Sequence, residues 1–131
     1  MYTGLYHESN LNDLTSIPAE TANLSVYDCK NFKSLNGLER CKNIKSIEIA
    51  FCPITDISAL ENNCYALLKT LEFGSTDVRF SHIYLERHSN LERFRLDEFI
   101  DYSNEIKVDL KLPNSMKKLE LKNVLIQAID F

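Results

Sequence analysis

Three histidines and four cysteines are the side chains of this chain best suited to nucleophilic or metal chemistry, and their spacing decides which chemistry is open. His7, His82 and His88 are scattered, with no His-x-x-x-His pair to set two imidazoles on one helix face. No two of Cys29, Cys41, Cys52 and Cys64 have the short two-to-four-residue spacing of a zinc knuckle. Gly4, Gly37 and Gly74 are too dispersed to form a phosphate-cradling loop. The expected catalytic, cofactor-binding and metal-binding residues are therefore none. A Cys/His nucleophile pair can meet in space without being near in sequence, which keeps a thiol enzyme as the catalytic alternative. It would require Cys64→Ala to lose activity while keeping its fold.

What the cysteines do show is a period. Cys29 and Cys52 are 23 residues apart, as are Cys41 and Cys64. Equivalent positions in stacked coils lie about one strand spacing, ~4.8 Å, apart, so a bridge would form only if the side-chain vectors cooperate. The simpler expectation is that all four are buried, reduced thiols serving as small apolar pegs.

The same period organises the elements that must carry any site. The first inward residues of five candidate strands are Leu24, Ile47, Leu71, Phe94 and Leu119, at steps of 23, 24, 23 and 25. Two positions on come Val26, Ile49, Phe73, Leu96 and Leu121; five positions on, Cys29, Cys52, Thr76, Phe99 and Val124. Three positions before the strands stand Thr21, Ile44, Leu68, Leu91 and Met116. A fixed period in this range predicts a solenoid. In "IKSIEIAFC", Ile47 and Ile49 point inward while Glu48 and Ala50 point out, the alternation of a half-buried strand. Pro53 then stops the ladder, and Ile57 and Leu60 follow at helical spacing, predicting a short helix or 3₁₀ return leg.

The other return legs are expected at Phe32, Leu35 and Leu38, and at Val78, Phe80, Ile83 and Leu85, with His82 and His88 as polar members. "IKVDLKLP" alternates, which predicts a second strand on the far side. Tyr2, Leu5, Leu11, Leu14 and Ile17 are expected to form an atypical capping coil over residues 1–23, before five repeats over 24–131, all in one domain. The last coil, Leu121 to Phe131, has no evident cap, which leaves a homodimer or other self-association open.

Composition narrows the partners. A hydrophobic content of 44% with 26% charged residues is that of a globular chain. The apolar runs are too short to span a bilayer, and "MYTGLYHESN" does not read as a secretory signal, so a cytoplasmic location without membrane attachment is expected. A net charge of −4 and a pI near 5.4 argue against nucleic acid and for a basic protein partner.

The motif "IKSIEIAFC" resembles the L-x-x-L-x-L-x-x-C core of the leucine-rich repeat. "CPITDISAL" is similar to the N-x-I-x-D-I-x-x-L segment of bacterial internalin-like repeats, the Cys41 to Cys52 spacing to cysteine-containing repeats, and "LPNSMKKLEL" to the LP-type repeats of bacterial effectors. The likeness spans roughly residues 18 to 131; the asparagine-ladder position is occupied by Cys, Thr, Phe or Val instead. It implies an α/β leucine-rich repeat solenoid of five to six coils, with a parallel sheet on a concave, protein-binding face and short helical or irregular convex legs.

On that face the outward residues would be Asn23, Ser25 and Tyr27; Ser46, Glu48 and Ala50; Thr70, Glu72 and Gly74; Arg93, Arg95 and Asp97; and Lys118, Glu120 and Lys122. Asp28, Phe51 and Glu98 would lie where the strands exit. The candidate binding residues are Tyr27, Glu48, Phe51, Glu72, Arg93, Arg95, Asp97, Lys118 and Glu120, since aromatics and Arg dominate interface energetics. Glu48 beside Glu72 would be mildly repulsive alone and relieved by a Lys or Arg from a partner. The function expected is a non-enzymatic binding module, in concrete form a small bacterial immunity protein covering a basic toxin domain. The alternative is a translocated effector or adaptor that engages a host protein through the same face.

Overall fold

A computed structural model describes residues 1–76, 81–98 and 107–131. The expectations placed on Val78, Phe80, Phe99 and the Thr76 side chain lie outside the described residues. Nine strands are found among the described residues: β1 (Tyr2–Tyr6), β2 (Asn23–Tyr27), β3 (Ser46–Ala50), β4 (Thr70–Thr76), β5 (His82–Tyr84), β6 (Arg93–Glu98), β7 (Lys107–Lys111), β8 (Lys118–Lys122) and β9 (Leu125–Asp130). They form a six-stranded parallel sheet in the order β1-β2-β3-β4-β6-β8 and a three-stranded parallel sheet in the order β5-β7-β9. Each strand of the large sheet pairs with its predecessor after one circuit of chain, which makes the molecule a β-solenoid of about five turns.

The period of the apolar residues sets the register. Leu24, Ile47, Leu71, Phe94 and Leu119 lie in one row across the large sheet, with Thr3 of β1 ahead of them. Val26, Ile49, Phe73 and Leu96 form a second inward row, all fully buried. Phe73 and Phe94 meet edge to face at 6.4 Å between centroids. Burying each such side chain contributes about 1.5–3 kcal/mol, so a one-residue slip would invert every strand and lose the entire core.

A common turn leads into each strand. The carbonyls of Pro18, Cys41, Tyr65, His88 and Pro113 accept the amides of Thr21, Ile44, Leu68, Leu91 and Met116, three residues on, at 3.0–3.3 Å. Four of those five donors are the apolar residues that precede the strands by three positions; Thr21, in the first coil, is likewise buried and hydrogen-bonds the Pro18 carbonyl through Oγ1 at 2.7 Å. At the strand exits His7, Asp28, Phe51 and Asn123 all adopt left-handed backbone, with φ between 50° and 57°. The amides of His7, Asp28 and Phe51 still reach across to Tyr27, Ala50 and Gly74 at 3.0 Å, so the ladder ends one residue beyond the strand.

The first two return legs hold the expected short helical turns, and the third departs from them. The first contains a 3₁₀ turn at Leu38–Arg40, and the second a single helical turn, α1 (Ser58–Glu61). In the third, β5 replaces a helix, because Ile83 and Leu85 are both buried and spaced by two, a strand period. β7, within the alternating "IKVDLKLP" stretch, pairs with β5, and β9 extends the same sheet. Among the described residues helix is confined to seven positions, so the architecture is mostly β. None of these helices is long and apolar enough to cross a membrane.

Three of the cysteines behave as expected and one does not. Cys29, Cys41 and Cys52 are buried and unbridged, whereas Cys64 is exposed. Cys64 sits just after α1, where the chain leaves the core; Tyr65 turns inward in its place. At the ladder position the Cys52 Sγ accepts the Cys29 amide at 3.5 Å, while its thiol donates to the Ala50 carbonyl at 3.3 Å. Sulfur thus serves the corner backbone as both acceptor and donor. Burial pushes the Cys52 thiol up to about 11.

Candidate functional site

The strands carry their outward side chains in three rows. The central row runs Gly4, Ser25, Glu48, Glu72, Arg95 and Glu120, and the row toward the strand exits runs Tyr6, Tyr27, Ala50, Gly74, Asp97 and Lys122. Ala50 and Gly74 are adjacent and small, so the sheet dips there. A groove of about 250 Å³ opens over them, walled by Tyr27 and Phe51 on one side and Arg95 and Asp97 on the other, with Glu48 and Glu72 along its length.

The aromatic wall is a connected set. Tyr27 and Phe51 pack edge to face at 5.2 Å, and Tyr6 and His7 meet the other side of Tyr27 at 6.4 and 5.9 Å. Tyr2 and Tyr6 fold over Gly4 and share a hydroxyl hydrogen bond; a Cβ on Gly4 would come within 2.6 Å of the Tyr6 ring. Phe51 is 50% exposed and Tyr27 40%, which leaves the ridge open to solvent. Phe51 holds its position in left-handed backbone, a conformation that a bulky side chain disfavours by about 1–2 kcal/mol.

The charges divide into satisfied and unsatisfied. Arg95 lies 3.6 Å from both Asp97 and Glu120, at ion-pair range but beyond hydrogen-bonding distance. Lys118 hydrogen-bonds Glu120 at 2.8 Å and holds its carboxyl below the usual range. Glu48 and Glu72 are direct partners on β3 and β4, and among the described residues neither has an ion-pair partner.

Of the nine candidate binding residues, six line the groove: Tyr27, Glu48, Phe51, Glu72, Arg95 and Asp97. Arg93, Lys118 and Glu120 do not. Arg93 and Lys118 lie in the row at the strand starts, four residues along the strand from the row that holds the dip, and Glu120 is committed to Lys118 and Arg95. Sequence reasoning named Ala50 and Gly74 as outward but gave them no role; the signal was their size, which makes a depression only when they become neighbours. The Tyr2–Tyr6 pair was missed because β1 carries no inward Leu at its first position to bring it into the repeat alignment.

His88 differs from its expectation as a polar residue of the return leg. It is fully buried, packed against the Tyr65 ring at a tilt of 34° with 5.5 Å between centroids, and its Nδ1 accepts the Tyr65 amide at 3.3 Å. Burial drives its pKa down from the ordinary 6.5. His82 is exposed and pairs with Glu61 at 3.0 Å, which places the two imidazoles in unrelated environments.

Searches against protein-family models, curated proteins and solved structures find no match to this chain. The site is therefore read from its own geometry.

Proposed function

We propose that this chain is a non-enzymatic protein-binding module of leucine-rich repeat type, acting as a small cytoplasmic bacterial immunity protein that neutralises a basic toxin domain. The observation that carries the reading is the Glu48–Glu72 pair, two carboxylates with no ion-pair partner among the described residues, held side by side along a groove with an exposed aromatic wall. Like charges fixed directly opposite one another cost stability, and a cationic partner recovers that cost on docking. Phe51 adds to the argument: an aromatic in left-handed backbone at a groove rim is strained for the fold and well placed for an interface. The acidic net charge favours encounter with a basic protein.

The test is capture of the partner from the native cell by tagged protein, comparing wild type with Glu48→Arg/Glu72→Arg and with Gly74→Leu. A Cβ on Gly74 would meet only the Ala50 Cβ, at 3.7 Å, so Gly74→Leu fills the groove without altering charge or straining the sheet. A stoichiometric basic protein that binds wild type and neither folded variant supports the reading. A partner that survives both substitutions removes the groove from the interface. The LP-type stretch leading into β8 favours a second reading, a translocated effector that uses the same face on a host protein; a captured host protein in place of a toxin would select it.

A further inference from the structure

The groove's chemistry defines which side chain of a partner it is built to take. We infer that the groove is a receptor for an arginine guanidinium, presented by the partner protein so that it bridges Glu48 and Glu72 with its flat face against the Tyr27–Phe51 wall. This rests on the reading of the groove as the docking surface and deepens it.

Four observations converge. First, among the described residues the lining carries Glu48, Glu72 and Asp97 against Arg95, three carboxylates to one guanidinium, and Arg95, the in-register neighbour of Glu72, makes its ion pairs with Asp97 and Glu120. The charge left over belongs to the Glu48–Glu72 pair. Second, those two carboxylates project from neighbouring parallel strands in direct register, so their stems stand about 4.8 Å apart. A planar fork with five N–H donors can span that separation and donate to both; a single ammonium satisfies such a pair less completely. Third, the adjoining wall is aromatic and exposed, and guanidinium stacks on aromatic faces while keeping its in-plane donors free. Fourth, the floor at Ala50 and Gly74 is small enough to admit a side chain to the level of the carboxylates. A neutral or acidic side chain would leave both carboxylates unpaired in the interface, and a bulky apolar one would bury them at a further cost.

The experiment is a titration of ¹⁵N-labelled protein with N-acetyl-arginine methylamide, followed through the amide resonances of Ala50, Phe51 and Gly74, with the lysine and citrulline counterparts as parallel probes. The expected result is saturable shifts confined to the groove for arginine, at least threefold weaker binding for lysine, and no response to citrulline at the same concentrations. Glu48→Gln/Glu72→Gln should abolish the arginine response while leaving the rest of the spectrum folded. The inference is overturned if arginine shifts no groove amide, if lysine or citrulline matches it, or if the Gln variant responds like wild type. Its failure is distinct from that of the docking reading. Should arginine fail while capture of the native partner remains sensitive to Gly74→Leu, the docking surface stands and only its guanidinium specificity falls; a partner captured equally well by Gly74→Leu removes the docking surface itself.

Discussion

Glu48 and Glu72 occupy directly opposed positions on adjacent parallel strands, and neither is neutralised by a cation among the described residues. Glu120 in the same row has Lys118 at 2.8 Å, and Glu92, just ahead of β6, has Lys117 at 3.0 Å. The pair thus differs from Glu120, the other carboxylate of its row. Replacing one member should relieve the repulsion between the two. Glu48→Gln, whose other in-register neighbour is the neutral Ser25, is expected to raise the unfolding free energy by about 0.2–1 kcal/mol at low ionic strength, the scale of a cross-strand pair. Screening should shrink the gain toward zero as salt approaches 1 M, where the Debye length is about 3 Å. Chemical denaturation of the two proteins across a salt series measures it, and a gain independent of salt would show that repulsion is not its source.

Phe51 supplies a second case in which the fold and the surface disagree. The equivalent strand exits carry His7, Asp28 and Asn123, residue types that tolerate left-handed backbone, and Phe51 is the exception. Phe51→Asn is expected to leave stability unchanged or raise it by up to about 1 kcal/mol, since relief of backbone strain offsets the lost packing on Tyr27. The same variant should weaken partner binding at least tenfold, as removal of an interface aromatic does. A variant less stable by more than about 2 kcal/mol would instead make Phe51 a structural residue.

Much of this was legible in the sequence because a solenoid repeats its own constraints. One alternation, Ile47 and Ile49 inward with Glu48 outward, predicts the same rows in every other coil, and the observed register joins those residues. The return legs were harder to read, since a short apolar leg closes the core equally well as a helical turn or a strand. β7 was legible from the alternation of "IKVDLKLP", whereas the three-residue β5 is completed by its pairing with β7, a long-range relation. The site divides in the same way. Charge and aromaticity are properties of single residues and could be read; the depression over Ala50 and Gly74 is a property of two small residues from different coils. Arg40 shows a further limit. Its guanidinium reaches the carbonyls of Leu14, Thr15 and Ile17 at 3.3, 2.8 and 2.9 Å, tying the first coil to the second, and nothing in its local sequence marks it as more than a surface charge.

The cysteines should sort by position. Cys64 is exposed, whereas Cys29, Cys41 and Cys52 are buried, and burial holds the thiols of Cys41 and Cys52 above their ordinary range. A thiol reagent such as iodoacetamide at pH 8 should therefore label one cysteine of the native protein rapidly and all four only after denaturation. Cys64→Ser should remove the fast reaction and leave stability within about 0.5 kcal/mol of wild type, as expected for a surface position. Rapid native labelling of Cys29 or Cys52 would contradict the corner geometry in which the two share an N–H···S contact.

His88 makes stability depend on pH in a defined direction. Its imidazole is enclosed beside Tyr65, Nδ1 accepts the Tyr65 amide, and burial keeps its folded pKa below the 6.5 of an exposed histidine. Below pH 6.5 the unfolded chain therefore binds a proton that the folded chain refuses. The associated stability is fully present above that pH and is lost as the pH falls toward the lowered folded value. The slope contributed by one group is at most about 1.4 kcal/mol per pH unit. Urea denaturation between pH 7.5 and 5.5 should show this decline in wild type and its absence in His88→Leu, even though the variant is less stable throughout because the Tyr65 amide loses its acceptor. His7 and His82 are exposed and present in both proteins, so the difference between the two curves isolates His88. Parallel curves would mean that His88 titrates alike in the folded and unfolded chains, which its burial does not permit.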